Sequence, residues 1–63
     1  MDLTFSIDFD AAEIHGVVDG ATTFTVIKDD DRYIYKNFDR IDDDVLKDKL
    51  KGICRELLQI EES

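Results

Sequence analysis

The sequence predicts an α+β fold: a three- or four-stranded antiparallel β-meander over residues 3–37, with one C-terminal amphipathic helix over residues 43–61 packed on one face. Three observations carry this reading. Leu3, Phe5, Ile7 and Phe9 alternate with Thr4, Ser6 and Asp8, a period of two that marks a strand with one buried face. Asp19-Gly20 separates two β-rich runs, and a tight type I′ hairpin needs positive φ at both central positions. From residue 42 the period changes. Leu46, Leu50, Ile53, Leu57 and Ile60 follow a 4-3-4-3 spacing, which places them on one side of a helix.

The first strand covers residues 3–9, and Asp10 and Ala11 turn the chain. Residues 12–18 alternate less cleanly, with Ala12, Ile14, Gly16 and Val18 against Glu13, His15 and Val17. In the three-stranded version this segment is a loop. Residues 21–28 are β-branched and aromatic and form the third strand. Asp29-Asp30-Asp31 is the next turn, and residues 32–37 form the fourth strand. Either Tyr33 and Tyr35 or Ile34 faces inward there. An inward Ile34 drags Arg32 and Lys36 toward the core, which is costly, so the tyrosines are expected inside.

The helix start is well marked. Asp42 suits the N-cap, and Asp43 and Asp44 then meet the positive end of the helix dipole. Ile41 and Leu46 have the spacing of a hydrophobic staple, and Asp43 and Lys47 that of a favourable i,i+4 pair. Gly52, in the helix interior, costs up to about 1 kcal/mol relative to Ala and marks a close approach or a kink.

The chain has 63 residues, which fits a single small acidic domain, 1–63. Burial of apolar area contributes about 95 kcal/mol for a chain of this mass, and ordering it costs about the same. So the monomer is marginal, and a partner or a second copy adds stability. The single Cys excludes an internal disulfide and leans toward a reducing cytoplasm. No apolar run approaches the roughly 20 residues of a membrane span, and the start lacks the basic and apolar regions of a signal peptide.

Sixteen acids against eight Lys and Arg give a net charge of −8. This argues against unaided binding to nucleic acid or anionic lipid. Its placement is more informative than its total. Residues 1–27 contain no Lys or Arg, yet carry Asp2, Asp8, Asp10, Glu13 and Asp19. A meander sorts the acids to its ends. Asp10 and Asp29–Asp31 fall at one end, joined by Glu61 and Glu62 from the helix. Asp2, Asp19, Asp39 and Asp42–Asp44 fall at the other. On the helix, Lys47, Lys51 and Arg55 share a face with Asp44 and Asp48, which leaves that side near neutral. A partner that reads negative charge therefore approaches the first two strands and the strand ends.

Catalytic and metal sites find little support. His15 is the only His, with Ser6 and Asp8 as the nearest candidates for a hydrolytic set, and no nucleophile motif surrounds a serine. Cys54 reads as a small buried hydrophobe beside the helical stripe. Neither Asp triplet has the spacing of a calcium loop. The three glycines are scattered, with no phosphate-binding loop. Leu58, Ile27 and Val17, off the main apolar faces, are candidates for a contact patch with an outward tyrosine. The expectation is a non-enzyme without cofactor or metal.

In composition and size the chain resembles the small acidic inhibitors of phages and mobile elements: anti-restriction and anti-CRISPR proteins, and glycosylase inhibitors that imitate DNA. The resemblance is one of type, without a shared motif. It implies a viral-type inhibitor acting in the host cytoplasm, which presents carboxylates to the basic nucleic-acid-binding surface of a host protein. The contact residues expected are Asp8, Asp10, Glu13, Asp29, Asp30 and Asp31, with Tyr33 and Tyr35 as aromatic anchors. The other reading is a small cytosolic accessory domain that forms a homodimer or binds a peptide by sheet-edge pairing.

Overall fold

The computed structural model describes residues 2–60, and only the backbone of Ile60. Four strands come in chain order: β1 (Leu3–Asp8), β2 (Glu13–Val18), β3 (Thr22–Asp29) and β4 (Arg32–Lys36). A short 3-10 helix (Phe38–Arg40) and the helix α1 (Asp44–Ile60) follow. The strands form one antiparallel sheet in the order β1-β2-β3-β4. The α+β meander is therefore four-stranded, and residues 13–18 are a strand. Among the described residues no helix is long and apolar enough to cross a membrane.

The turns follow from local chemistry. Asp19 and Gly20 both have positive φ, 54° and 70°, and the Ala21 amide donates to the Val18 carbonyl across them at 3.1 Å. This is the expected pair of central residues, with Ala21 as one extra position before β3. Asp19 also anchors the start of β1: its amide donates to the Asp2 carbonyl at 2.6 Å, and its Oδ1 accepts from the Asp2 amide at 2.9 Å. Between β1 and β2 the Asp8 carboxylate accepts from the Ala11 amide at 3.2 Å, an Asx-type closure. Phe9 lies in this turn rather than in the strand, and is 45% exposed.

The register places Leu3, Phe5 and Ile7 beside Val18, Gly16 and Ile14. Those lie beside Thr22, Phe24 and Val26, and Val26 lies beside Tyr35. α1 covers this face over β2 and β3. The core comprises Ile14, Val18, Phe24, Val26, Phe38, Ile41, Leu50, Cys54 and Leu58. Tyr33 and Tyr35 pack against it half-buried, while Ile34 is exposed on the opposite face, so the tyrosines do point inward. An aromatic row crosses the sheet. Phe5, Phe24, Phe38 and Tyr35 meet edge to face, with centroids 6.1, 5.2 and 5.2 Å apart. Lys51 closes the row, its Nζ 5.1 Å from the Tyr35 ring centroid.

Three details of the helix differ from the sequence reading. The cap is Asp43, not Asp42: its Oδ1 accepts from the amides of Val45 and Leu46 at 3.0 and 3.2 Å. Lys47 then pairs with Asp44 at 3.6 Å instead of with Asp43, whose side chain is committed to the cap. The buried stripe is also rotated. Leu50, Cys54 and Leu58 are fully buried, whereas Ile53 is 42% exposed. Leu58 is thus a core residue and no part of a surface patch. Cys54 and Leu58 lie on one flank of the helical arc and Ile53 on the other, and both flanks are apolar in sequence. The sheet decides between them, because α1 sits over its middle strands. The expected place of Ile60 in the stripe, and of Glu61 and Glu62 at a sheet end, lies outside the described residues.

Sequence reasoning assigned residues 38–40 to no element. Asn37 adopts the left-handed conformation (φ 66°) and turns the chain out of β4, and Phe38 then inserts into the core.

Candidate functional site

The expected acidic contact residues converge on one end of the sheet. Asp8 lies directly across from Glu13, and Glu13 across from Ile27, two positions before Asp29. The Lys28 amide donates to the Ala12 carbonyl at 2.9 Å, which holds the β1–β2 turn, with Asp10 in it, against the β3 end. Asp30 and Asp31 form the next turn, and Asp30 has φ 58°. Asp8, Asp10, Glu13 and Asp29–Asp31 therefore share an edge of the molecule, and all but the half-buried Glu13 are exposed.

Some of these carboxylates have local partners. Asp8 closes its turn, and Asp29 stands 4.0 Å from Arg32 across the hairpin. Glu13 lies 3.6 Å from His15 Nε2. Among the described residues, no hydrogen bond or ion pair engages the carboxylates of Asp10, Asp30 or Asp31. Tyr33 and Tyr35 stand apart from them on the helix-side face, where Tyr35 packs on Phe38 beneath Lys51.

The other end gathers a second acidic group. Asp19, Asp42 and Asp43 line a cleft of about 360 Å³ with Val18, Thr22, Arg40, Ile41 and Leu46. Asp2 joins them through its bonds to Asp19. Between the two ends runs the outer face of β1, β2 and β3: Thr4, Ser6, His15, Val17, Thr23 and Thr25. Ile27 continues this face toward the acidic end, and its three strands place no Lys or Arg on it; Lys36 of β4 lies next to Thr25. Strands of this length span roughly 20 Å, which sets the separation of the acidic ends. The cations of the sheet lie toward β4, at Lys28, Arg32 and Lys36.

His15 is exposed on this outer face. Its Nδ1 lies 3.2 Å from the Thr25 hydroxyl, so Thr25 rather than Ser6 engages it, and Glu13 approaches the other nitrogen. Among the described residues no three His, Cys, Asp or Glu side chains are placed to hold a metal ion. Cys54 is fully buried, and desolvation pushes its thiol up to about 11. The thiol is therefore no nucleophile at neutral pH.

One surface escaped the sequence reading. Phe5 and Phe9, both expected in the core, are 37% and 45% exposed, and Ile53 of the helix is exposed as well. The signal lay in the element count. Four strands span about 19 Å across the sheet, while one helix is only about 10 Å wide, so one apolar edge stays uncovered. Phe38 and Lys51 cover the Tyr35 ring of β4, while among the described residues nothing pairs with the outer edge of β1. Comparison with protein-family models, with curated proteins and with solved structures finds no match to this chain.

Proposed function

We propose that this protein is an acidic binding domain that occupies the basic nucleic-acid-binding surface of a host protein and so inhibits it. In this reading it is an inhibitor of the kind phages and mobile elements deploy, acts in the host cytoplasm, and performs no catalysis. The observation that carries the proposal is the charge layout. Two acidic sheet ends are joined by the outer face of β1–β3, and residues 1–27 hold no cation to interrupt it. A Lys/Arg groove that normally holds phosphates finds carboxylates at both ends of such a face. Association is then fast and strongly salt-dependent. The same surface repels nucleic acid and anionic lipid, which leaves a protein as the partner.

The test is capture from host lysate at increasing salt, with heparin as a competing polyanion. Retention of a nucleic-acid-binding protein at about 50 mM salt, its loss by about 300 mM and its displacement by heparin support the reading. A partner whose retention is unaffected by salt and heparin overturns it.

A further inference from the structure

We infer that the free edge of β1 is a strand-addition site for an extended segment of the partner in which apolar and basic residues alternate. The sign of the partner's charge rests on the reading above; the edge itself rests on geometry. The bonds between Asp2 and Asp19 fix the phase of the β1–β2 ladder. By the alternation of an antiparallel pair, the N–H and C=O groups of Leu3, Phe5 and Ile7 then point away from β2, into the open edge.

The two edges of the sheet are built differently. β4 carries Arg32 and Lys36 and is flanked by Phe38 and Lys51, devices that blunt an edge. β1 has no Lys, Arg or Pro and no positive-φ residue within its span. On its helix-side face Phe5 is exposed, Phe9 is exposed in the turn that follows, and Ile53 is exposed on α1. Ile53 lies on the flank of α1 opposite Lys51, and Lys51 sits over Tyr35 of β4, so Ile53 faces β1. A strand added at β1 places alternate side chains against Phe5 and under Ile53. Its other side chains line up with Thr4, Ser6 and Asp8 on the outer face.

Charge selects the occupant. Asp2, Asp8, Asp10, Glu13 and Asp19 lie on or beside this edge, and residues 1–27 add no Lys or Arg to it; Lys49, one turn before Ile53 on α1, is the one cation on the flank above. A second copy fits poorly in the two registers that pair most of β1. Two β1 strands paired antiparallel about Phe5 set Asp2 opposite Asp8, and pairing about Ser6 sets Asp2 opposite Asp10. Like charges directly opposite each other destabilise a strand pair. A segment with Lys or Arg on its outward side meets the same carboxylates favourably.

Three probes test this on the 15N-labelled full chain by NMR: a short peptide of alternating Lys and Val, the same peptide N-methylated at every second residue, and a Ser–Val analogue. The Lys–Val peptide should protect the amides of Leu3, Phe5 and Ile7 from exchange by about tenfold or more. The N-methylated form should fail to do so, and the Ser–Val analogue should bind more weakly. If the Lys–Val peptide binds through Asp10, Asp30 and Asp31 while the β1 amides stay unprotected, the edge inference falls and the charge reading stands. Equal binding of the Ser–Val analogue overturns the choice of a basic occupant and the charge reading with it. Concentration-dependent protection of β1 without peptide, alongside a dimer in sedimentation, assigns the edge to a second copy and overturns the inference.

Discussion

The outer end of the Phe24 ring lies over Gly16 on the neighbouring strand: a methyl group on Gly16 would stand 2.2 Å from Cζ of Phe24. The missing side chain on β2 makes room for the ring that links Phe5 to Phe38 across the sheet. Gly16→Ala therefore forces Phe24 out of its site and breaks the aromatic row at its centre. The expected loss is about 2 kcal/mol, or roughly 10 °C in Tm for a domain of this size, read by thermal and urea denaturation. In a Phe24→Leu background the same substitution should cost less, and the double-mutant cycle measures that coupling.

Gly52 is the opposite case. A Cβ built there meets nothing within 4 Å, so neither a close approach nor packing requires the glycine. Gly52→Ala then removes only the entropic cost of glycine in a helix. Stability should rise by up to about 1 kcal/mol, with partner binding unchanged. A loss of stability in urea denaturation contradicts this placement.

Burial raises the Cys54 thiol from its ordinary value of 9.0 to about 11. In the unfolded chain the thiol loses its proton near the ordinary value, and in the folded protein about two units higher. Above pH 9 the unfolded state therefore binds fewer protons than the native state, and stability falls as pH rises toward 11. The loss from this group is at most about 3 kcal/mol. Cys54→Ala should flatten this alkaline decline relative to the parent, at a cost of about 1 kcal/mol at neutral pH for lost packing. Stability against pH for both proteins, by urea titration, checks the difference. Alkylation of Cys54 at neutral pH should proceed only at the rate of unfolding.

What the sequence made legible was local chemistry. Period-two alternation located β1, the Asp-Gly pair located the β2–β3 hairpin, and the polar neighbours of Ile34 set the facing of β4. The acids of the β1–β2 and β3–β4 turns were correctly brought to one end, because a meander with strands of similar length leaves no other arrangement. The misreadings are all relations between elements. Whether Ile53 or Leu58 is buried depends on where the helix rests, since both flanks of its arc are apolar. Phe5 and Phe9 match the pattern of a buried strand face, but the helix rests over β2 and β3 and Phe9 falls in the turn after β1. Asp42, Asp43 and Asp44 are chemically equivalent cap candidates, and only the backbone path from Ile41 selects Asp43.

The acidic end beside Asp10 and Asp31 allows a charge reversal that leaves the fold alone. Asp30 holds a positive φ of 58°, a conformation that Asp tolerates and Lys does not favour, so it is left in place. Asp29 is excluded because it pairs with Arg32. Asp10 and Asp31 are exposed turn residues without positive φ, so the Asp10→Lys, Asp31→Lys variant should keep its stability to within about 0.5 kcal/mol. It shifts the charge at this end by four units without touching a packed side chain. Association with a basic partner should slow by about tenfold or more at low salt, while dissociation changes little, because steering acts on the encounter. Raising the salt should close the gap between the two proteins. Stopped-flow or surface-binding kinetics reads both rates. If the variant associates as fast as the parent at low salt, this end of the sheet does not face the partner, and the contact falls to the opposite end, at Asp2, Asp19, Asp42 and Asp43.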